Sequence, residues 1–372
     1  MKLSLIIHNH AVRQFCGNDV TLWQDGRTVS AAALVNGMTI DSLDAHDGHK
    51  LTKGHVGWGF LPGLIAVMQA ERNFDAKELI TSIVIGYEIG TRAGIALHAS
   101  ACDYHTSGAW IALATAALGA RQLGLTKGQT REAIGIAEYH GPRSQMMRCI
   151  DAPTMVKDGS GWVAMAGVSA SYLAQDGFTG APAITMEAPE LIDFWSDLGN
   201  NCYVTQHYIK LYPVCRWAQP AVEGELDLVR DNDISADQID KIKVEIFHEA
   251  KRLNAIPTNT QQAQYSLPFS VAAAFVCGKI GVPEVTANGL GDAQIMDVAR
   301  RVEIVETDAF NAAFPLRRFA QVEVLLKDGR TFRSEATEAQ EDPENKASDI
   351  FIWNKFCDLM TPAMGKDWAE GF

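Results

Sequence analysis

Three aspartates (Asp41, Asp44, Asp47) and three histidines (His46, His49, His55) fall within one stretch, DSLDAHDGHKLTKGHVGWGFLPG, residues 41–63. Carboxylates and imidazoles are the side chains best suited to moving protons near neutral pH. Interleaved glycines break any regular helix there. Leu61, Leu64, Ile65 and Met68 then recur at helical spacing, with Pro62 in a first turn. A titratable loop delivered onto a buried helix is a common seat of catalytic groups, although Asp, His and Gly also serve as ordinary turn and capping residues. A metal reading of Asp44 with His46, His49 and His55 matches no named zinc or iron spacing, and HExxH and CxxC are absent. The expectation is therefore no metal.

Two further polar islands follow. The first, HASACDYHTSG at 98–108, places His105 beside the start of a helix beginning at Ala109, with Thr106 or Ser107 as its cap. Unpaired N–H groups there favour an anion, and a histidine beside them is a candidate acid or base. The second, YHGPRSQMMRCIDAPTMVKDGSG at 139–161, carries Arg143, Arg148 and Lys157. Such cations suit carboxylates or phosphates. GxxxxGK[ST] and a strand-linked GxGxxG are both absent, which argues against nucleotide binding.

These islands need elements to hold them. Thr21 to Trp23 and Thr28 read as extended around a turn at Gln24, Asp25 and Gly26, and Ser30 as the cap of an Ala-rich helix through Met38. A long helix from Asp75 toward Leu97 carries Gly86, Gly90 and Gly94 every four residues, a spacing that permits close helix packing. Further helices are expected over Ala109–Leu123, Thr130–Glu138 and Trp162–Gln175. In the second half, Lys241–Phe247 and Gln321–Leu326 alternate as half-buried strands, and a turn at 327–329 leads into Thr331–Glu335. Helices are expected near Gln219–Val229, Pro268–Cys277 and Asp292–Arg300, and an amphipathic one carries Ile350, Trp353, Cys357 and Met360.

The chain has 372 residues, 47% of them hydrophobic, a length that predicts two domains. Its net charge of -13 argues against a nucleic-acid surface. Seven scattered cysteines suit a reducing compartment. No apolar run reaches the length of a membrane span, and the opening MKLSLIIHNH is too short and polar for a signal core. A cytoplasmic protein is expected, with no nucleic-acid or membrane partner.

DSLDAHDGHKLTKGHVG, YHTSGAWIALATAALGARQLGL, PTMVKDGSGWVAMAGVSASYLAQDGFTGAP, KLYPVCRWAQPAVEG and YSLPFSVAAAFVCG follow one another along the chain. In that order they resemble the MmgE/PrpD family, whose members include 2-methylcitrate dehydratase, cis-aconitate decarboxylase and iminodisuccinate epimerase. The resemblance implies a mainly α fold: a large all-helical domain, shortened at its N-terminus by two or three helices (1–198), and a smaller α+β domain (199–338). A C-terminal helix (339–372) returns to the helical domain. It implies a site in a cleft between the domains, a homodimer, no cofactor, and a small carboxylate as substrate. Acid/base and carboxylate-binding positions of the family fall on Asp44 or Asp47, His55, His105 and Lys157. The chain departs from the family pattern in having Val56 after His55, Gln219 where a histidine is common, and Phe269 where the decarboxylases have a tyrosine. The last two remove a proton donor.

The expected chemistry is proton abstraction next to a carboxylate, by a lyase of the dehydratase type. His105 and Asp44 are the acid/base pair, with Asp47 a further candidate and His55 sharing a proton. Lys157 and Arg216 clamp the carboxylate, with Arg148 and Gln219 as additional binding residues. Three alternatives stay open: an epimerase or isomerase of an amino- or imino-dicarboxylate, a non-catalytic binding relative, and a metal-dependent hydrolase.

Overall fold

The computed structural model describes residues 2–371 apart from 23, 24, 345 and 347; the expectations at Trp23 and Gln24 lie outside the described residues. The fold is mainly α with a smaller α/β part, and the chain forms two compact units, Met1–His207 and Tyr208–Phe372.

In the first unit, helix α1 (Lys2–Gln14) precedes an antiparallel pair, β1 (Cys16–Leu22) and β2 (Asp25–Arg27). Then come α2 (Val29–Asp41), α3 (Gly57–Ala70), α4 (Ala76–Ser100), α5 (Gly108–Gln122), α6 (Lys127–His140) and α7 (Ser160–Gln175). Helix α5 is the core: every residue from Gly108 to Ala120 is buried. Its Ala-rich sequence lets neighbours approach on several sides without polar cost. The glycines of α4 mark such approaches. A Cβ at Gly86 would lie 2.7 Å from the Phe60 ring, one at Gly90 2.7 Å from Val56, and one at Gly94 2.9 Å from Trp110.

Several boundaries differ from expectation, each for a local reason. Thr28, not Ser30, caps α2, its hydroxyl accepting from the Ala31 N–H. Helix α6 starts at Lys127 because Thr126 and Gln129 form a reciprocal capping box. Helix α3 starts at Gly57, so Pro62 lies inside it rather than in its first turn. The Asp47 carboxylate accepts from the Val56 and Gly57 N–H groups at 3.4 and 3.2 Å, which supplies the cap that lets the helix begin early.

The crossing of α2 and α7 positions the site. A Cβ at Gly37 would meet Gly161 Cα at 2.7 Å, so both positions need glycine. At that crossing Ser160 Oγ donates to the Gly37 carbonyl (2.7 Å) and to Asp41 Oδ2 (3.1 Å), joining the end of α2 to the loop that carries Lys157.

The second unit contains α8 (Gln219–Asp231), β3 (Ile239–Ile246), α9 (Leu267–Cys277), α10 (Ala293–Ala299), β4 (Val302–Glu306), β5 (Ala320–Leu326), β6 (Thr331–Arg333) and α11 (Asp349–Met364). The sheet order is β4-β3-β5-β6, with β3 parallel to β4 and antiparallel to β5. Ile242, Val244 and Ile246 face the core, as their alternation predicts. The closing helix α11, which the family resemblance assigns to the helical domain, groups with this second unit. All seven cysteines are free thiols.

Candidate active site

The loop after α2 folds so that Asp44, His46 and His55 converge. One ligand atom of each lies within 4.8 Å of the others. His46 Nε2 is 3.3 Å from Asp44 Oδ1 and 3.8 Å from Asp41 Oδ1. The His46 and His55 ring centroids are 4.3 Å apart. Both Nδ1 atoms face one main-chain carbonyl, that of Asp47, at 3.4 Å from His46 and 2.5 Å from His55. A ring that donates its Nδ1–H to a carbonyl carries its lone pair on Nε2, the tautomer a base needs. Asp44 is 1% exposed and sits at φ 56, in the left-handed region that a short Asp side chain tolerates.

Asp47 stands apart from this trio in role. Besides capping α3, its carboxylate pairs with His207 Nδ1 at 3.3 Å. Burial would raise its pKa, but the His207 hydrogen bond and the fields of His207, His46 and His55 outweigh burial and hold it well below the usual carboxylate range. Its carboxylate thus ties His207 to the start of α3. His49 turns away from the trio: its ring packs near His207 and Tyr203, at centroid distances of 5.1 and 5.7 Å.

Lys157 is 3% exposed and donates from Nζ to the Asp41 carbonyl at 2.9 Å. At φ 49 it is held in a backbone region that costs an L residue roughly 1 kcal/mol. Lys157 and Arg148 line one cavity of about 410 Å³, together with Thr106, Gln145, Asp158 and Trp162. The Arg148 guanidinium is exposed and donates to Ser144 Oγ.

Asp158 was not singled out by the sequence. Its carboxylate accepts from the Ser107 N–H (2.9 Å) and from Ser107 Oγ, while Ser107 Oγ accepts from the His55 N–H at 3.2 Å. The α5 start is thus satisfied by Asp158 and not by a Thr106 or Ser107 side chain. Burial, with a smaller push from Asp41, raises the Asp158 pKa to about 7. His105 is half-buried two residues earlier; its Nδ1 lies 2.8 Å from the Asp103 carbonyl and its N–H donates to His98 Nε2. No interaction joins it to the trio among the described residues.

The remaining expected residues form a second cluster, in the second unit. Arg216 is 3% exposed and donates to Gln219 Oε1 (3.0 Å), the Gln340 carbonyl (2.8 Å) and Asp342 Oδ1 (2.6 Å), with Tyr208 against its face. Gln219 Nε2 donates to the Tyr212 and Val214 carbonyls. Lys210, another residue passed over in the sequence, is 1% exposed on the same segment. Its signal was its place in KLYPVCRWAQPAVEG; burial became visible only in three dimensions.

The chain is 24% identical over 367 residues to the cis-aconitate decarboxylase of Mus musculus, covering 91% of this chain and 73% of the relative. It is 25% identical over 360 residues to that of Homo sapiens, covering 87% and 73%. A cis-aconitate decarboxylase-like protein of Aspergillus oryzae, oryM, is 27% identical over 160 residues, 40% of this chain and 33% of the relative. Residues 4–198 match the MmgE/PrpD N-terminal domain and residues 212–371 the MmgE/PrpD C-terminal domain, so the chain belongs to the MmgE/PrpD family.

Proposed function

We propose that the protein is a cofactor-independent lyase of the 2-methylcitrate dehydratase type, acting on a small di- or tricarboxylate. The convergence of Asp44, His46 and His55, with both rings set on the Asp47 carbonyl, carries this reading. A carboxylate of the substrate is held by Lys157, with Arg148 in the same cavity. An imidazole Nε2 takes the proton from the carbon next to a carboxylate, and the electron pair passes to an enolate-like carboxylate. Collapse of that species expels hydroxide, which leaves as water with a proton from Asp44. Arg216 and Gln219 are included as further substrate-binding residues, and His105 as an alternative base. The protein is further proposed to work as a homodimer in the cytoplasm.

The relatives bear the name of decarboxylases, but Gln219 and Phe269 offer no titratable proton here, which favours dehydration. Epimerisation of an amino- or imino-dicarboxylate is the second reading. What supports it is that the site offers more than one candidate proton carrier, since one group must remove the proton and another, on the opposite face of the carbon, return it.

Incubation in deuterated buffer with citrate-like, malate-like and amino-dicarboxylate compounds tests the proposal. Deuterium entering an α-carbon in wild type and failing to enter with His55→Ala supports it, and His105→Ala shows whether that residue shares the step. The product separates dehydration from epimerisation. Absence of exchange with every compound moves the reading to a non-catalytic binding relative.

A further inference from the structure

Among the described residues, Asp44, His46 and His55 are the one set of three histidine, cysteine or acidic side chains whose ligand atoms converge. The sequence spacing matched no metal signature because such signatures describe ligands on a helix turn or tight knuckle. Here an eight-residue excursion between His46 and His55 closes on itself through the His49 N–H to Gly54 carbonyl bond of 2.9 Å.

Four observations bear on what this set can hold. First, His46 Nε2 and Asp44 Oδ1 are 3.3 Å apart. Bonds of about 2.0–2.1 Å to zinc, arranged tetrahedrally, separate neighbouring ligands by roughly 3.3–3.4 Å. The widest pair, within 4.8 Å, has to draw in by at most about 1.4 Å to reach the same edge. Second, both imidazoles rest Nδ1 on the Asp47 carbonyl. A main-chain carbonyl on the far nitrogen is the usual support of a metal-bound histidine, since it fixes the tautomer and raises basicity at Nε2. Third, Asp41 is 1% exposed and its Oδ1 accepts no hydrogen bond among the described residues, although it faces His46 Nε2 at 3.8 Å. A buried carboxylate oxygen lacking a donor is a costly arrangement that a cation relieves. Fourth, the carboxylates of Asp41 and Asp47 flank the set, adding negative charge beside that of Asp44.

We propose that Asp44, His46 and His55, with Asp41 as a fourth donor, bind a divalent transition-metal ion of the Zn2+ class, and that the ion blocks proton transfer at these residues. Bound metal takes the Nε2 lone pairs that a base needs and leaves both rings unable to accept a proton. The binding claim stands apart from the reaction proposed above, because it concerns the empty protein and no substrate.

The test is competition between the protein and a chromogenic chelator for Zn2+ at neutral pH, with the visible absorption of Co2+ reporting nitrogen and oxygen ligation. About one equivalent per chain is expected. His46→Ala and His55→Ala each weaken binding about 100-fold or more, Asp41→Asn weakens it about 10-fold, and His98→Ala and His105→Ala leave it unchanged. Less than about a tenth of an equivalent in wild type, or undiminished binding by His46→Ala, overturns the proposal. If a histidine variant fails to fold, the near-isosteric Asp41→Asn decides, and unchanged affinity there overturns the fourth-donor assignment. Failure of metal binding leaves the deuterium experiment untouched, so the two proposals fall separately.

Discussion

The two units each bury a polar cluster, and the clusters are built on opposite principles. In the first unit, the titratable side chains of Asp44, His46 and His55 converge and Asp158 lies buried next to Lys157 in sequence, with main-chain groups on both imidazoles and on the Asp158 carboxylate. In the second, Arg216 holds its charge and spends its donors on Gln219, the Gln340 carbonyl and Asp342. The first arrangement keeps reactive lone pairs aimed at a point, as acid/base chemistry requires. The second ties chain segments together, and a carboxylate ligand would have to displace Asp342 to use it. A buried charge therefore says little about function until its partners are known.

Substitutions sharpen this contrast. The largest effect is expected from His55→Ala, which should lower the exchange rate by about 10²–10⁴-fold, the usual contribution of a positioned acid or base, with little change in stability. The comparison breaks if stability falls and exchange does not. Arg216→Ala should differ in acting on stability as well, costing about 3–5 kcal/mol in denaturant unfolding of the second unit because Asp342 loses its buried partner, beside the loss of exchange expected from its proposed hold on the substrate.

Two buried acids, one in each unit, allow a finer test. Glu225 is fully buried on α8 with neither carboxylate oxygen hydrogen-bonded among the described residues. Burial raises its pKa from 4.5 to about 8. The folded state therefore keeps a proton that the unfolded chain has released, and stability falls as pH rises through that window. The fall is at most about 1.4 kcal/mol per pH unit. Glu225→Gln should flatten this dependence in thermal melts between pH 5 and pH 8 (about three units of the window). Asp158→Asn should flatten a similar one, between 3.8 and about 7, in which burial outweighs the Ser107 hydrogen bonds that favour the ionised carboxylate. An undiminished pH dependence in either variant would show that its carboxyl ionises as readily in the folded state as in the unfolded chain.

How much of this was legible in sequence depended on range. The titratable loop, the long α4 with its glycines, and the alternating strands were visible because periodicity and turn chemistry are local. The trio was visible as composition but not as geometry: nothing in the spacing excluded His49, which turns toward His207 instead. Caps were misread wherever the partner came from afar. Ser107 lies 51 positions from Asp158, and the Val56 and Gly57 N–H groups bond to a carboxylate about ten residues back. Lys157 was found as a cation in a loop, whereas its burial against the Asp41 carbonyl depends on the Gly37–Gly161 crossing, which no local pattern encodes.

The Asp47 carbonyl beneath both imidazoles has one more consequence. It belongs to the peptide backbone, so no replacement of the residue 47 side chain can delete it. Random drift at that position can alter the helix cap yet leaves the proton-bearing face of both histidines unchanged, provided the loop keeps its path. Heritable variation can reach the tautomer only by rerouting the chain. A chemist could reach it directly, since replacing the amide that follows residue 47 by an ester would weaken the acceptor and let the two rings turn.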